Sequence, residues 1–134
     1  MNFGSPTQFE TQICWLFHKL GYWAHRLARD ERGAQPFDVI AIKGHAIFAV
    51  DCKVCSRPRL DITRAEINQM LAFTMLSKTT EARCGFMCYH KGDIYFIPYF
   101  MVEECLTASI PLANNVIWMR ADRIKEIMED GNDC

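Results

Sequence analysis

Long apolar runs are missing from this sequence. None approaches the roughly 20 residues that a membrane-spanning helix needs. An excess of charge of either sign is missing too. Fifteen Lys and Arg stand against sixteen Asp and Glu, a formal net charge of −1, so no overall basic balance announces a polyanionic partner. The opening residues, Met1-Asn2-Phe3-Gly4-Ser5-Pro6, lack a basic flank followed by an apolar stretch. That argues against a secretory signal and for a cytoplasmic protein without a membrane partner. The sequence has no internal repeat, low-complexity stretch or obvious linker. What it does have is apolar bulk: half of its 134 residues are hydrophobic, among them nine Phe, four Tyr and three Trp. This is enough for the core of one domain, 1–134, and argues against disorder.

Seven cysteines make an odd count, and without a signal peptide a disulfide framework is not expected. Cys52-Lys53-Val54-Cys55 has zinc-like spacing, with Cys84 and Cys88 as conceivable partners. These residues sit in apolar strand-like segments, however, and buried small hydrophobes are the better reading. His18, His25, His45 and His90 show no metal spacing.

The spacing predicts a first helix from Ser5-Pro6 to about Leu20. Ser5 serves as its N-cap, Pro6 opens it and Gln8 completes a capping box. Phe9, Ile13, Leu16, Phe17 and Leu20 form its buried stripe. A strand is expected over Tyr22–Ala28, then a polar loop from Arg29 to Gln35. Hairpin strands follow at about Phe37–Lys43 and Ala46–Val54, and apolar residues on both of their faces call for helices on both sides of the sheet. Ser56–Ile62 reads as a loop. Thr63-Arg64-Ala65-Glu66 reads as a capping box opening a second helix that ends near Lys78 and buries Ile67, Met70, Leu71 and Thr74. Strands at Cys84–His90 and Asp93–Pro98 are joined by Lys91-Gly92. A helical turn at Val102–Leu106 and a short helix over Arg120–Glu129 complete an α/β domain on a mixed central sheet flanked by helices.

The chemistry concentrates in the first hairpin. If Gly44-His45 is a two-residue turn of type II′, Lys43 pairs with Ala46, and counting back sets Asp38 directly opposite Asp51. Opposed side chains stand roughly 4.5–5.5 Å apart at Cβ, and like charges there destabilise a sheet. Alternation puts Lys53 on the same face. Fold stability does not ask for two facing carboxylates. A hard divalent cation relieves their repulsion, since Mg²⁺ is held by one or two carboxylates together with substrate phosphates. A lysine beside it suits the orientation of a water or the steadying of phosphate charge, the arrangement metal-assisted phosphodiester hydrolysis needs. The plainer alternative makes Asp38 a strand-edge acid paired with Lys53. Two basic groups lie near this hairpin in sequence: Lys53, Arg57, Arg59 and Arg64, and a more diluted set of His25, Arg26, Arg29 and Arg32. Each is either phosphate-contacting surface or simply solvated surface.

Pro36-x-Asp38, a twelve-residue interval and Asp51-Cys52-Lys53, set in this order of elements, resemble the PD-(D/E)xK nuclease superfamily. Its restriction-endonuclease-like core, αβββαβ, would cover about Gln8 to His90, with Asp51 in place of the commoner Glu. Within the superfamily the chain looks most like small Holliday-junction resolvases of the RecU and archaeal types, including phage versions. That likeness rests on Glu10 in the first helix, the basic loop after Lys53, and Gln69 within Asn68-Gln69-Met70-Leu71. One feature departs from it: RecU-type enzymes carry a projecting stalk, and the Arg29–Gln35 loop is too short for one.

The resemblance implies a Mg²⁺-dependent structure-selective DNA endonuclease, with Mn²⁺ as substitute, acting on branched DNA in recombination and repair as a homodimer. It implies that Asp38 and Asp51 hold the metal, with the backbone carbonyl near Asp51, that of Val50 or Cys52, as a further ligand. Lys53 would position the attacking water, Glu10 would hold a metal-associated water or a second ion, and Gln69 would contact the scissile region. Arg57, Arg59 and Arg64 would contact phosphate. Glu10 has a competing reading as the third helical residue of a Thr7-x-x-Glu10 capping box, and Gln69 as an ordinary helix-surface residue. The alternatives to a resolvase are a restriction- or RecB-like nuclease, or an inert DNA-binding module on the same fold. The intact Asp38, Asp51 and Lys53 set argues against the inert module.

Overall fold

A computed structural model describes residues 6–28 and 35–130 of the chain. The Ser5 cap and the Arg29 and Arg32 cations lie outside the described residues, as does most of the Arg29–Gln35 loop. The first half runs α1 (Pro6–Lys19), β1 (Trp23–Arg26), β2 (Val39–Lys43), β3 (Ala46–Val54), β4 (Arg59–Asp61), a 3₁₀ turn at Ile62–Arg64 and α2 (Ile67–Thr79). The second runs β5 (Arg83–His90), β6 (Asp93–Pro98), α3 (Tyr99–Glu103), β7 (Ser109–Pro111), a 3₁₀ turn at Leu112–Asn114, β8 (Val116–Met119) and α4 (Ala121–Asp130).

Six strands form one sheet in the order β1-β2-β3-β5-β6-β8. β3 and β5 pair in parallel, with α2 in the crossover between them, and the other neighbours are antiparallel. The sheet is therefore mixed, and the run from α1 to β5 is the expected αβββαβ core once the short β4, which pairs with β7 in a separate two-stranded sheet, is set aside. Alternation along β3 sends Phe48, Val50 and Cys52 to one side and Ala49 to the other. The first side packs against Phe9, Ile13, Leu16 and Phe17 of α1 and Ile124 and Ile127 of α4. The second packs against Phe73 of α2 and Val102 of α3. Helices cover both faces, as the doubly apolar strands require.

The central hairpin has the expected register. Lys43 pairs with Ala46 and Val39 with Val50. Gly44 has φ +60°, and His45 is not among the described residues with positive φ, the pattern of a type II′ turn. The second hairpin turns at Lys91 and Gly92, both with positive φ (48° and 92°), the type I′ pattern.

The second helix departs from expectation in start and in phase. Ile62–Arg64 form a 3₁₀ turn, Ala65 is extended, and α2 begins only at Ile67 with Glu66 as N-cap. The box-closing residue is Gln69, whose Oε1 accepts a 3.1 Å hydrogen bond from the Glu66 N–H. The buried face carries Gln69 and Phe73, whereas Ile67 and Leu71 are 80% and 63% exposed. Apolar residues surround this helix, so their period selects no face. The largest ring decides: Phe73 lies 5.8 Å from Phe37, 5.6 Å from Phe86 and 6.2 Å from Tyr99, measured between centroids. Three short strands were not expected. β4 lies within the supposed Ser56–Ile62 loop, and β7 and β8 follow α3. The helical turn near Val102 starts earlier, at Tyr99.

Candidate active site

The β2–β3 pairing ends at Val39 and Val50, and Asp38 lies in a bend just before β2. Its N–H donates to Val50 O at 3.0 Å, and its carboxyl group comes next to that of Asp51. Both carboxyl groups are buried. The Cys52 N–H donates to Asp38 Oδ2 at 2.7 Å, and Gln35 Nε2 donates to Asp38 Oδ1. Lys53, two residues along β3, sets its Nζ 2.8 Å from Asp51 Oδ2. That ammonium is the cationic partner of an oxygen that otherwise has no hydrogen-bond donor.

Burial, and then the neighbouring Asp38 charge, push the Asp51 carboxyl up from 3.8 to about 7, and Lys53 only partly offsets them. Two facing buried carboxylates do not both ionise freely without a cation. Two adjacent buried carboxylates are a donor set that a hard divalent cation fits. Among the described residues, no three His, Cys, Asp or Glu side chains share metal-ligand spacing, so the acidic centre is the Asp38–Asp51 pair.

Glu10 lies close by. It is buried in the second turn of α1, and its Oε1 pairs at 3.3 Å with Arg26 Nε on β1. The same guanidinium donates to Thr11 Oγ1 at 3.2 Å. Its carboxylate is thus engaged with the sheet, which disfavours the capping reading. Cys52 lies among these acids: burial, then Asp38, Asp51 and Glu10, hold its thiol well above the ordinary range. Its thiol packs into the core under α1 while its N–H serves Asp38.

The remaining candidates are less concentrated. Gln69 is buried and its Oε1 is committed to the Glu66 N–H. Arg59 Nε donates to Ser109 Oγ at 2.6 Å and ties β4 to β7. Arg64 Nη1 donates to Val54 O at 3.1 Å, just beyond Lys53. Arg57 is exposed, in an ion pair with Asp61 at 2.8 Å. Two residues at the site were missed in sequence. Arg26 reads from sequence only as one of a diluted group of surface cations, and strand pairing with β2 turns it toward Glu10. Gln35 sits in a polar loop with no motif to mark it.

A family model described as archaeal Holliday junction resolvase (Hjc) matches residues 4–125. The chain belongs to the Hjc family. Hjc proteins are nucleases, hydrolases acting on DNA phosphodiester bonds, and this member is a Holliday junction resolvase. Among solved structures, the chain is similar to the Hjc of Archaeoglobus fulgidus, a Holliday junction resolvase from an archaeal hyperthermophile. Sequence identity is 19%, the TM-score is 0.66, and the match covers 88% of this chain and 98% of that one. At that identity the likeness concerns the fold, the mixed sheet with flanking helices described above. No curated protein matches the chain. Hjc nucleases in general need a divalent metal. Among the described residues, no helix is long and apolar enough to cross a membrane.

Proposed function

We propose that this resolvase cuts four-way DNA junctions as a Mg²⁺-dependent homodimer, with Asp38 and Asp51 holding the cation and Lys53 acting on the attacking water. The observation that carries the reading is the pair of buried, opposed carboxylates with one oxygen lacking an aligned donor beside a lysine. Cys52 supplies its N–H to fix Asp38 and offers its backbone carbonyl as a further oxygen. Lys53 is largely buried yet keeps its ammonium at the carboxylate pair, where it orients a water or steadies charge on the phosphate. When bound, the divalent cation lowers the pKa of a water and neutralises phosphate charge. Glu10, held by Arg26, stands ready for a second ion or its water. Gln69 shapes the start of α2 near the scissile region.

The DNA contact is proposed to centre on Arg57, the exposed cation of the basic loop, with Arg59 and Arg64 holding that loop's frame. Symmetric cutting of two strands calls for two active sites, and two-fold symmetry supplies them. The α2 surface supports a partner copy, because Ile67, Leu71 and Met75 lie at i, i+4 and i+8 and are 80%, 63% and 61% exposed. To test the reading, labelled four-way junction, flap and linear duplex are incubated with the protein in Mg²⁺ and in EDTA. Paired nicks in the junction only with Mg²⁺ are expected. Equal cutting of duplex, or cutting in EDTA, contradicts the reading.

A further inference from the structure

The geometry points to Gln35 as a third side-chain oxygen donor to the divalent cation, an inference that rests on the cation reading above. Among the described residues, two buried side-chain nitrogen or oxygen atoms lack a hydrogen-bond partner: Asp51 Oδ2 and Gln35 Oε1. Buried polar atoms are nearly always paired, and an exception asks for a missing group. Both atoms are acceptors, and both flank the same residue. Asp51 faces Asp38 across the hairpin, and Gln35 donates its Nε2 to Asp38 Oδ1. Asp51 Oδ2 already faces the Lys53 ammonium at 2.8 Å, whereas Gln35 Oε1, beside the carboxylate pair that would hold the cation, faces no donor.

Gln35 is held in this position. Asn68 Nδ2, from the first turn of α2, donates to the Gln35 backbone oxygen at 3.0 Å, and the following Pro36 narrows the chain's freedom. A carboxamide suits the place in both states. Its N–H partners Asp38, and its carbonyl oxygen remains available to a hard cation, which accepts amide and carboxylate oxygens alike. The donor count agrees. Glu10 does not join Asp38 and Asp51 in a group with ligand spacing, so two carboxylates leave the protein side of the coordination shell short, and Gln35 adds an oxygen without adding charge.

The test is Mn²⁺ binding to the DNA-free protein, followed by electron paramagnetic resonance, for wild type, Gln35→Leu, Gln35→Glu and Asp51→Asn. Loss of a polar partner from a metal site weakens affinity by about 10- to 100-fold, and Gln35→Leu is expected to weaken Mn²⁺ by about tenfold. Gln35→Glu keeps the oxygen and discards the donor, so it should bind Mn²⁺ at least as tightly as wild type. It also keeps the shape, so the test stands if the leucine variant fails to fold. Wild-type affinity in Gln35→Leu, or weakened affinity in Gln35→Glu, overturns the inference. If Asp51→Asn loses Mn²⁺ while Gln35→Leu retains it, the cation reading survives and the role of Gln35 does not. If wild type itself binds no Mn²⁺, both fall.

Discussion

Asp51 is placed against its own ionisation. Burial and the facing Asp38 raise its pKa from 3.8 to about 7. Between those two values the folded protein keeps a proton that the unfolded chain has released, so metal-free stability falls as pH rises through that window. Asp51→Asn removes both the charge and the repulsion. In EDTA, the melting temperature of the variant should pull ahead of wild type progressively from about pH 4 to pH 7, with cleavage abolished throughout. A wild-type stability that rises over that range relative to the variant contradicts the opposed-carboxylate geometry. The arginines separate by their contacts. Arg57 is exposed, whereas Arg59 is clamped to Ser109. Arg57→Ala should flatten the slope of log affinity against log salt by about 1, the size of one lost phosphate contact, with little change in melting. Arg59→Ala should lower the melting temperature instead. An unchanged salt slope in Arg57→Ala removes it from the DNA surface. At this scale the sequence spoke through types and spacing: Asp38, Asp51 and Lys53 were legible because strand register is countable. Gln35 and the Arg26–Glu10 pair were not, because a loop conformation and a contact across 16 residues leave no periodic trace.

The central hairpin was legible to the residue, since a glycine at the first turn position and alternation on both arms fix one register. The second helix was not. Apolar residues lie all round α2, and the choice of buried face fell to the Phe37, Phe86 and Tyr99 rings that receive Phe73. The short β4 and β7 strands, three residues each, are specified by each other, and no local pattern announces them. The rotated phase of α2 has a consequence for assembly: two residues expected in the core, Ile67 and Leu71, join Met75 in an outward apolar row. Leu71→Glu together with Met75→Glu places two charges on that row and touches no buried residue. If wild type is the proposed dimer, the double variant should keep its circular dichroism spectrum and run as a monomer in light scattering. A dimer that persists would move the interface off α2.

Across the whole molecule, the sheet exists to hold two adjacent strands in register, and the layers on either side bury the carboxylates that register brings together. α1 contributes Glu10 from one side, while α2 and the segment before β2 close the other through Asn68 and Gln35. The fold class and the core αβββαβ followed from element order. The family followed from a model match across residues 4–125, beyond what the short motif carries alone. The proposed catalytic centre requires that the lysine beside the carboxylates serve the chemical step. Lys53→Ala leaves both carboxylates in place, so the variant should bind Mn²⁺ and a four-way junction nearly as wild type does. Single-turnover cleavage with enzyme in excess isolates the chemical step. In that assay the rate should fall by about 10²-fold or more, the scale of losing a group that acts on the reacting proton or charge. A wild-type rate with wild-type binding would contradict the assignment of Asp38, Asp51 and Lys53 as the catalytic centre.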